Sequence, residues 1–319
     1  MKFVDLFCGI GGFHVALAWG DHKCVFACDS DEDVRKVYEK NFGIVPAGNI
    51  YDISADQIPE HDILCAGFPC KTFSLSGRRT GFEGSDGMLF FEVIRIIKHH
   101  KPKIVLLENV KNILLMQQGS ILYTIYQELM NLGYKVEHYL LNSADYYIPQ
   151  SRERAYFVAI RKDTDLVSIK PTSVGNSYRV VEDIVIDGLD ITKLVPRSPN
   201  MEIRHPHEMF RVKAMILVGH TSRSRGQGTR IYSGKGLACT VTARHSGEYY
   251  LLNHQVRRLH IDETKKLMGF NRNHIVGPGY LKSKRQLGNA VIPNMVAELV
   301  ENLTDWENVS NPHSYELNP

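Results

Sequence analysis

Short apolar runs alternating with helical stretches constrain this chain more than any other feature. Lys2–Phe7, Cys24–Cys28, Ile63–Ala66 and Ile104–Leu107 are too short for helices and read as buried strands. Phe13–Trp19, Asp31–Asn41 and Gly87–His100 carry helical spacing between them. Asp31–Asn41 has acids at its start and Lys40 near its end, which suits the helix dipole. Gly87–His100 sets Leu89, Val93, Ile96 and Ile97 on one face. Gly119–Leu132 continues the series as a helix, with strands at Lys135–Leu141 and Ala155–Ile160. Such alternation predicts an α/β fold with a doubly wound, mainly parallel sheet covered on both faces. Ligands of these sheets bind at the C-terminal strand ends. Those ends carry the turn Gly9-Ile10-Gly11-Gly12, then Asp29, Cys70 and Glu108.

The alternation fades after about Ser168. Gly219–Arg230 is rich in Gly, Ser, Arg and Thr, and the β-prone pieces Ala238–Ala243 and Tyr249–Leu252 follow. A second, smaller, irregular β-rich domain is expected here. The α/β style returns at Gln286–Leu299, read as a loop entering a helix. The division is therefore 1–175 catalytic and cofactor-binding, 176–280 a separate domain, and 281–319 a return to the first. The polar tail from Ser310 is expected to fray.

The 319 residues show no signal peptide and no membrane-length apolar run, which predicts a cytoplasmic protein without a membrane partner. Its six cysteines form no CxxC pair and have no histidines at zinc spacing. No metal is expected, and most of the thiols should be free, buried and inert. Charge is unevenly spread. Arg211–Arg258 holds nine Lys or Arg against Glu248 alone, although the whole chain is only +3. A nucleic-acid partner explains that, and so does a solvated basic surface; charge alone does not separate them.

Each candidate motif has a plainer reading. The glycine turn with Asp29 resembles a nucleotide-cofactor site, but His14 fills the last place of GxGxxG. A ribose-bearing cofactor without a pyrophosphate, such as S-adenosylmethionine, fits better than a dinucleotide. The plain reading is a tight turn with no ligand. Cys70 is a nucleophile if nearby Lys71, Arg78 or Arg79 favours its thiolate, or else a buried thiol. Glu108, partly desolvated, is a proton donor or a helix cap. In Gln150-Ser151-Arg152-Glu153-Arg154, two arginines on one side of a strand either clamp an anion or carbonyl, or form a surface ion ladder.

Taken together and in order, these segments resemble the DNA (cytosine-5) methyltransferases over nearly the whole chain. The matching pieces are Asp5–Phe13, Gly67-Phe68-Pro69-Cys70, Glu108-Asn109-Val110, Gln150–Arg154, Arg230–Ser233 with Thr240–Ala243, and Gln286–Val291. The resemblance implies S-adenosyl-L-methionine as cofactor and double-stranded DNA as partner, with the target cytosine flipped out of the duplex. By the same matching, Cys70 would add to C6 of the cytosine. Glu108 would hold N3 and the exocyclic amine, and Arg154 would hold O2 with Arg152 beside it. Phe7 would stack on the adenine, Asp29 would bind the ribose, and Asn49 and Ile50 would flank the adenine. Gly9, Gly11 and Gly12 would line the cofactor, with Leu89, Asn289 and Val291 near its methionine end. The segment Phe73–Gly87 would be the loop that closes over DNA.

Gln227, Arg230, Thr240 and Arg244 fall in the implied recognition loops as base-contact candidates. Arg223, Arg225, Arg257 and Arg258 would bind phosphate, with Arg225 equally able to read a guanine. The chain departs from the family's habits at Lys71, where Gln is common, at Ser30, where an aromatic is common, and at Asn49, where Asp is common. The lack of long extensions implies a bacterial modification enzyme, solitary or partnered with a restriction endonuclease without a stable complex, and a monomer is expected. The rivals are the same chemistry on tRNA, a catalytically silent DNA-binding relative and, against the broken GxGxxG, a nicotinamide oxidoreductase.

Overall fold

The computed structural model describes residues 1–69, 88–168, 170–173, 175, 178–196, 201–203, 210–223, 226–243 and 248–305. Cys70, Lys71, Phe73–Gly87, Arg225, Arg244, the side chain of Gln227 and the tail from Ser310 lie outside the described residues.

The expected alternation is present. In order come β1 (Lys2–Leu6), α1 (Gly12–Trp19), β2 (Lys23–Cys28), α2 (Glu32–Phe42), β3 (Ile63–Ala66), α3 (Met88–His100), β4 (Ile104–Val110), α4 (Ser120–Asn131), β5 (Tyr134–Asn142), β6 (Gln150–Ser151) and β7 (Glu153–Arg161). The main sheet runs β2-β1-β3-β4-β7-β5, with only β7 opposed to the rest. Its order turns back between β1 and β3, where α/β sheets open a crevice for ligands. Both faces are covered, and every residue of β3 is buried. α2 shows how local sequence sets these elements. Asp31 caps it by accepting the N–H groups of Asp33 and Val34 at 3.0 and 3.3 Å, and Gly43 ends it at φ 69°. Such a cap contributes about 0.5–2 kcal/mol.

The rest of the chain adds β8 (Leu166–Ser168), β9 (Glu202–Ile203), β10 (Leu217–His220), β11 (Arg230–Ser233), β12 (Ala238–Cys239), β13 (Tyr249–Leu252), β14 (Gln255–Arg257), α5 (Ile261–Leu267), α6 (Tyr280–Asn289), α7 (Pro293–Glu301) and β15 (Leu303–Asp305). A second sheet runs β14-β13-β11-β10-β9. One buried cluster joins Phe3, Leu17, Leu287 and Met295 to Tyr232, Val241 and Tyr250 of this later region. No helix among the described residues is long and apolar enough to cross a membrane.

Three differences from expectation bear on the site, the first two for a reason of pairing. β4 does not stop at Leu107; it runs through Glu108 to Val110 because β7 pairs with it there, Glu108 opposite Tyr156 and Val110 opposite Arg154. Ala238–Ala243 is strand only at Ala238–Cys239, where its parallel partner is β6 and not the second sheet. Gln286–Asn289 is the end of α6 rather than a loop, and α7 starts afresh with Pro293 in its first turn.

Candidate active site

The glycine turn is shaped by close approach. A Cβ on Gly11 would lie 2.2 Å from the Phe42 ring, and one on Gly12 would lie 2.3 Å from the Val291 carbonyl oxygen. Glycine at these positions lets α1 pack against α2 and against the segment before α7. His14, which breaks the GxGxxG pattern, stacks on Phe42 at 3.8 Å and bonds the Tyr38 hydroxyl through Nδ1 at 2.7 Å. Its work is packing.

Phe7 has φ 55°, a left-handed backbone that a bulky residue rarely adopts. Such an outlier points to function, and half-buried Phe7 directly follows the end of β1. The Gly9 N–H donates to Asp29 Oδ2 at 3.0 Å and the Asp31 N–H to Oδ1 at 2.9 Å. Burial raises the Asp29 pKa, while these two donors oppose the shift. Its half-exposed carboxylate keeps lone pairs for further donors. Asn49 is exposed and holds the Tyr51 N–H at 3.3 Å through its carbonyl, so its amide N–H groups face no partner among the described residues. Ile50 is buried. Leu89 is half-buried in the first turn of α3, Asn289 is exposed at the end of α6, and Val291 is buried against Gly12 and Gly67. An oriented acid, an amide, an apolar wall and room for close backbone approach fit a ribose-bearing ligand.

Glu108 lies deeper along the same edge, 9% exposed. Arg154 Nε stands 3.0 Å from its Oε1. Burial raises the Glu108 pKa, and Arg154 and then Arg152 pull it back. A Cβ on Gly67 would lie 3.8 Å from Glu108 Oε2, so the backbone at Gly67 passes close to the acid. Asn109 fixes that segment by donating from Nδ2 to the Phe68 carbonyl at 3.0 Å. Asn109 has no role legible in its motif, because its partner is forty-one residues away and nothing local signals it.

Several expectations need correction. Arg152 does not offer its guanidinium to an anion or a base carbonyl. It is 2% exposed, and its guanidinium donates to the carbonyls of Val241, Gly288 and Ala290 at 2.9, 3.1 and 2.9 Å. β6 ends just before it and β7 begins just after it. Thr240 spends its hydroxyl proton on the Ser151 carbonyl at 2.7 Å and is not placed as a base-reading donor. Arg257 is buried in a two-pronged bridge to Glu263, at 2.7 and 2.8 Å, and is not available to phosphate. Arg258 lies over the Tyr249 ring at 4.8 Å. Arg230 is half-buried with no bonded partner among the described residues, and Arg223 is exposed.

Cys8, Cys24, Cys28 and Cys65 are buried free thiols, and burial raises the pKa of each, to about 12 for Cys24 and Cys28. None of the four is a thiolate near neutral pH. No cluster of three or more His, Cys, Asp or Glu among the described residues could hold a metal.

Comparison with known proteins agrees with this geometry. The sequence model described as C-5 cytosine-specific DNA methylase matches residues 1–305. The chain is 35% identical over 308 residues to the Type II methyltransferase M.HhaI of Haemophilus parahaemolyticus, covering 95% of this chain and 94% of that protein. It is 34% identical over 315 residues to the Type II methyltransferase M.HpaII of Haemophilus parainfluenzae, covering 91% and 85%. Among solved structures, the S. pombe Dnmt2 methyltransferase shares the fold at a TM-score of 0.71 and 19% identity, covering 94% of this chain and 97% of that one. A ribose-competent acid, a buried glutamate beside an arginine and the Gly67-Phe68 segment tied close to them accord with those matches: the chain belongs to the C-5 cytosine-specific DNA methylase family and is a DNA cytosine-5 methyltransferase.

Proposed function

We propose that the methyl group comes from S-adenosyl-L-methionine and reaches C5 of a cytosine flipped out of double-stranded DNA, through a covalent bond between Cys70 and C6. The observation that carries this reading is the Glu108–Arg154 pair close to the segment Asn109 holds, which ends one residue before Cys70.

Cytosine C5 is a poor nucleophile until something adds at C6. The Cys70 thiolate forms that bond, and electrons move toward N3. Glu108, held toward its acid form by burial, donates a proton to N3 and accepts from the exocyclic amine. Arg154 donates to O2, so charge on the ring is neutralised where it develops. C5, now enamine-like, takes the methyl group as its bond to the sulfonium sulfur breaks, which would leave the neutral thioether S-adenosylhomocysteine. A base then removes the C5 proton, the C5–C6 double bond re-forms, Cys70 leaves as thiolate and N3 returns its proton to Glu108. Flipping the base costs about a few kcal/mol, which contacts with the closed site must offset.

S-adenosylmethionine supplies an electrophilic methyl on a sulfonium. Phe7 would stack on its adenine between Asn49 and Ile50, Asp29 would take the ribose hydroxyls, and the backbone of Gly9, Gly11 and Gly12 would line it. Leu89, Asn289 and Val291 would border its methionine end. Target reading falls to Gln227, Arg230 and Arg244 in the 176–280 region, with catalysis in 1–175 and 281–319. The enzyme acts as a monomer in the cytoplasm, without a stable complex with any restriction endonuclease of the same system.

The test offers DNA and tRNA containing 5-fluorocytosine to the wild type and to Cys70→Ser, with S-adenosylmethionine. Fluorine cannot leave as the C5 proton does, so the adduct persists through denaturation. A wild-type adduct on DNA alone, absent in the variant, is expected. An adduct on tRNA alone would overturn the substrate, and one surviving in Cys70→Ser would overturn the nucleophile.

A further inference from the structure

Three segments far apart in sequence meet at one buried guanidinium. Val241 belongs to the stretch that follows β12. Gly288 stands in the last turn of α6 and Ala290 directly follows that helix, on either side of Asn289 and just before Val291. Arg152 itself stands two residues before Arg154. Its Nη1 donates to Val241, and its Nη2 to both Gly288 and Ala290. Burial lowers its pKa only to about 9, so it remains a cation at neutral pH.

The surroundings reinforce this meeting point. Gln150 is fully buried. Its Oε1 accepts the Val241 N–H at 2.8 Å, and its Nε2 donates to the Leu267 carbonyl at 2.9 Å. Thr240 bonds the Ser151 carbonyl, and β12 pairs in parallel with β6. A Cβ on Gly288 would lie 2.5 Å from the Thr242 carbonyl carbon, so the two segments touch backbone to backbone. Val291 follows at once, with its carbonyl oxygen 2.3 Å from where a Gly12 Cβ would be. One continuous set of contacts therefore runs from Thr240–Ala243 through Arg152 to the wall of the cofactor crevice.

The planar guanidinium offers five donors in a fixed fork, so its carbonyl partners cannot shift independently while all three bonds hold. An ammonium has one nitrogen and cannot span both segments in that geometry. We propose that Arg152 is a positioning residue that couples DNA engagement by the 176–280 region, through its 240–243 segment, to cofactor binding at the 288–291 segment. This inference rests on the function proposed above. Arg154 meets the substrate base; Arg152 holds the 240–243 segment of the DNA-reading region in register with the wall of the cofactor crevice.

The test first maps the target by sequencing the methylated cytosines that the wild type makes in unmethylated phage DNA. Calorimetry then measures the Kd of S-adenosylhomocysteine, alone and with a saturating duplex carrying that site. The proteins are wild type, Arg152→Lys and Thr240→Val, each checked by its melting curve. Wild type should show coupling of about 5–150-fold between the two ligands. In Arg152→Lys the Kd without DNA should stay within a few-fold of wild type, while the coupling factor falls toward one. Thr240→Val, which removes one bond of the same joint, should lower the coupling part of the way, and it decides the matter if Arg152→Lys does not fold. Full coupling in the folded variants, or none in the wild type, overturns the inference. A wild type that methylates no cytosine overturns the functional reading beneath it.

Discussion

The C-terminal edge of the main sheet and the basic stretch from Arg211 to Arg258 were both marked in the sequence as functional, and the structure treats them differently. At the sheet edge, residues named from separate motifs converge: Gly9 on Asp29, Gly67 close to Glu108, Arg154 on Glu108. In the basic stretch many of the charges are already engaged within the protein. Arg257 is bridged to buried Glu263, Arg211 pairs with Asp183, Lys213 with Asp145 at 2.6 Å, and Arg258 covers Tyr249. Among the described cations there, Arg223, Arg230 and Lys235 remain without a bonded partner. A count of charges measures what a segment carries; only packing shows what it can offer to a phosphate.

The largest effect that tests this contrast is at Glu108. Glu108→Gln should lower kcat about 10²–10⁴-fold, because an amide cannot give N3 a proton. The acid form is needed, so wild-type activity should fall as pH rises through the raised Glu108 pKa. Arg154 lowers that pKa, so Arg154→Gln should move the falling limb to higher pH as well as weaken turnover. A limb that does not move would separate the pair and weaken the claim for the sheet edge.

Arg257 tests the other region. Arg257→Met leaves Glu263 buried without its counter-charge and should cost about 3–5 kcal/mol in urea unfolding. The salt dependence of DNA binding should not change in variant protein that remains folded. A shallower salt slope with normal stability would return Arg257 to the DNA-binding set.

Asn109→Ala is expected to be milder. It leaves the Phe68 carbonyl unsatisfied, at about 1–3 kcal/mol. Turnover should fall while the Kd for S-adenosylmethionine is kept; a loss of cofactor binding instead would mean that Asn109 supports a different part of the crevice. The smallest effect belongs to exposed Arg223. Arg223→Ala should weaken binding to all sequences alike and reduce the log–log salt slope by about one unit. No change in the slope would leave still fewer of the basic stretch's charges for DNA.

The sequence was most legible where order is local. Ile63–Ala66 and Tyr249–Leu252 were read to the residue, and the strand ends bearing the glycine turn and Asp29 fell where alternation placed them. Glu108 was found as a candidate acid, although its strand continues past it under pairing with β7. The least legible features were contacts between distant segments. Arg152 and Arg154 share a motif and look equivalent in it, yet Arg152 bonds carbonyls 89, 136 and 138 residues away. Thr240 was read as a base contact because its partner, Ser151, is 89 residues earlier. Propensity and spacing report on neighbours in the chain, and these residues are defined by neighbours in space.

The most direct measurement is base-resolution sequencing for 5-methylcytosine in unmethylated phage DNA, treated with S-adenosylmethionine and either wild type or Cys70→Ser. The account predicts methylation by the wild type at C5 of cytosine in one recurring short sequence, and none by the variant. Absence of methylated cytosine with the wild type, or methylation that persists without the Cys70 thiol, would contradict it.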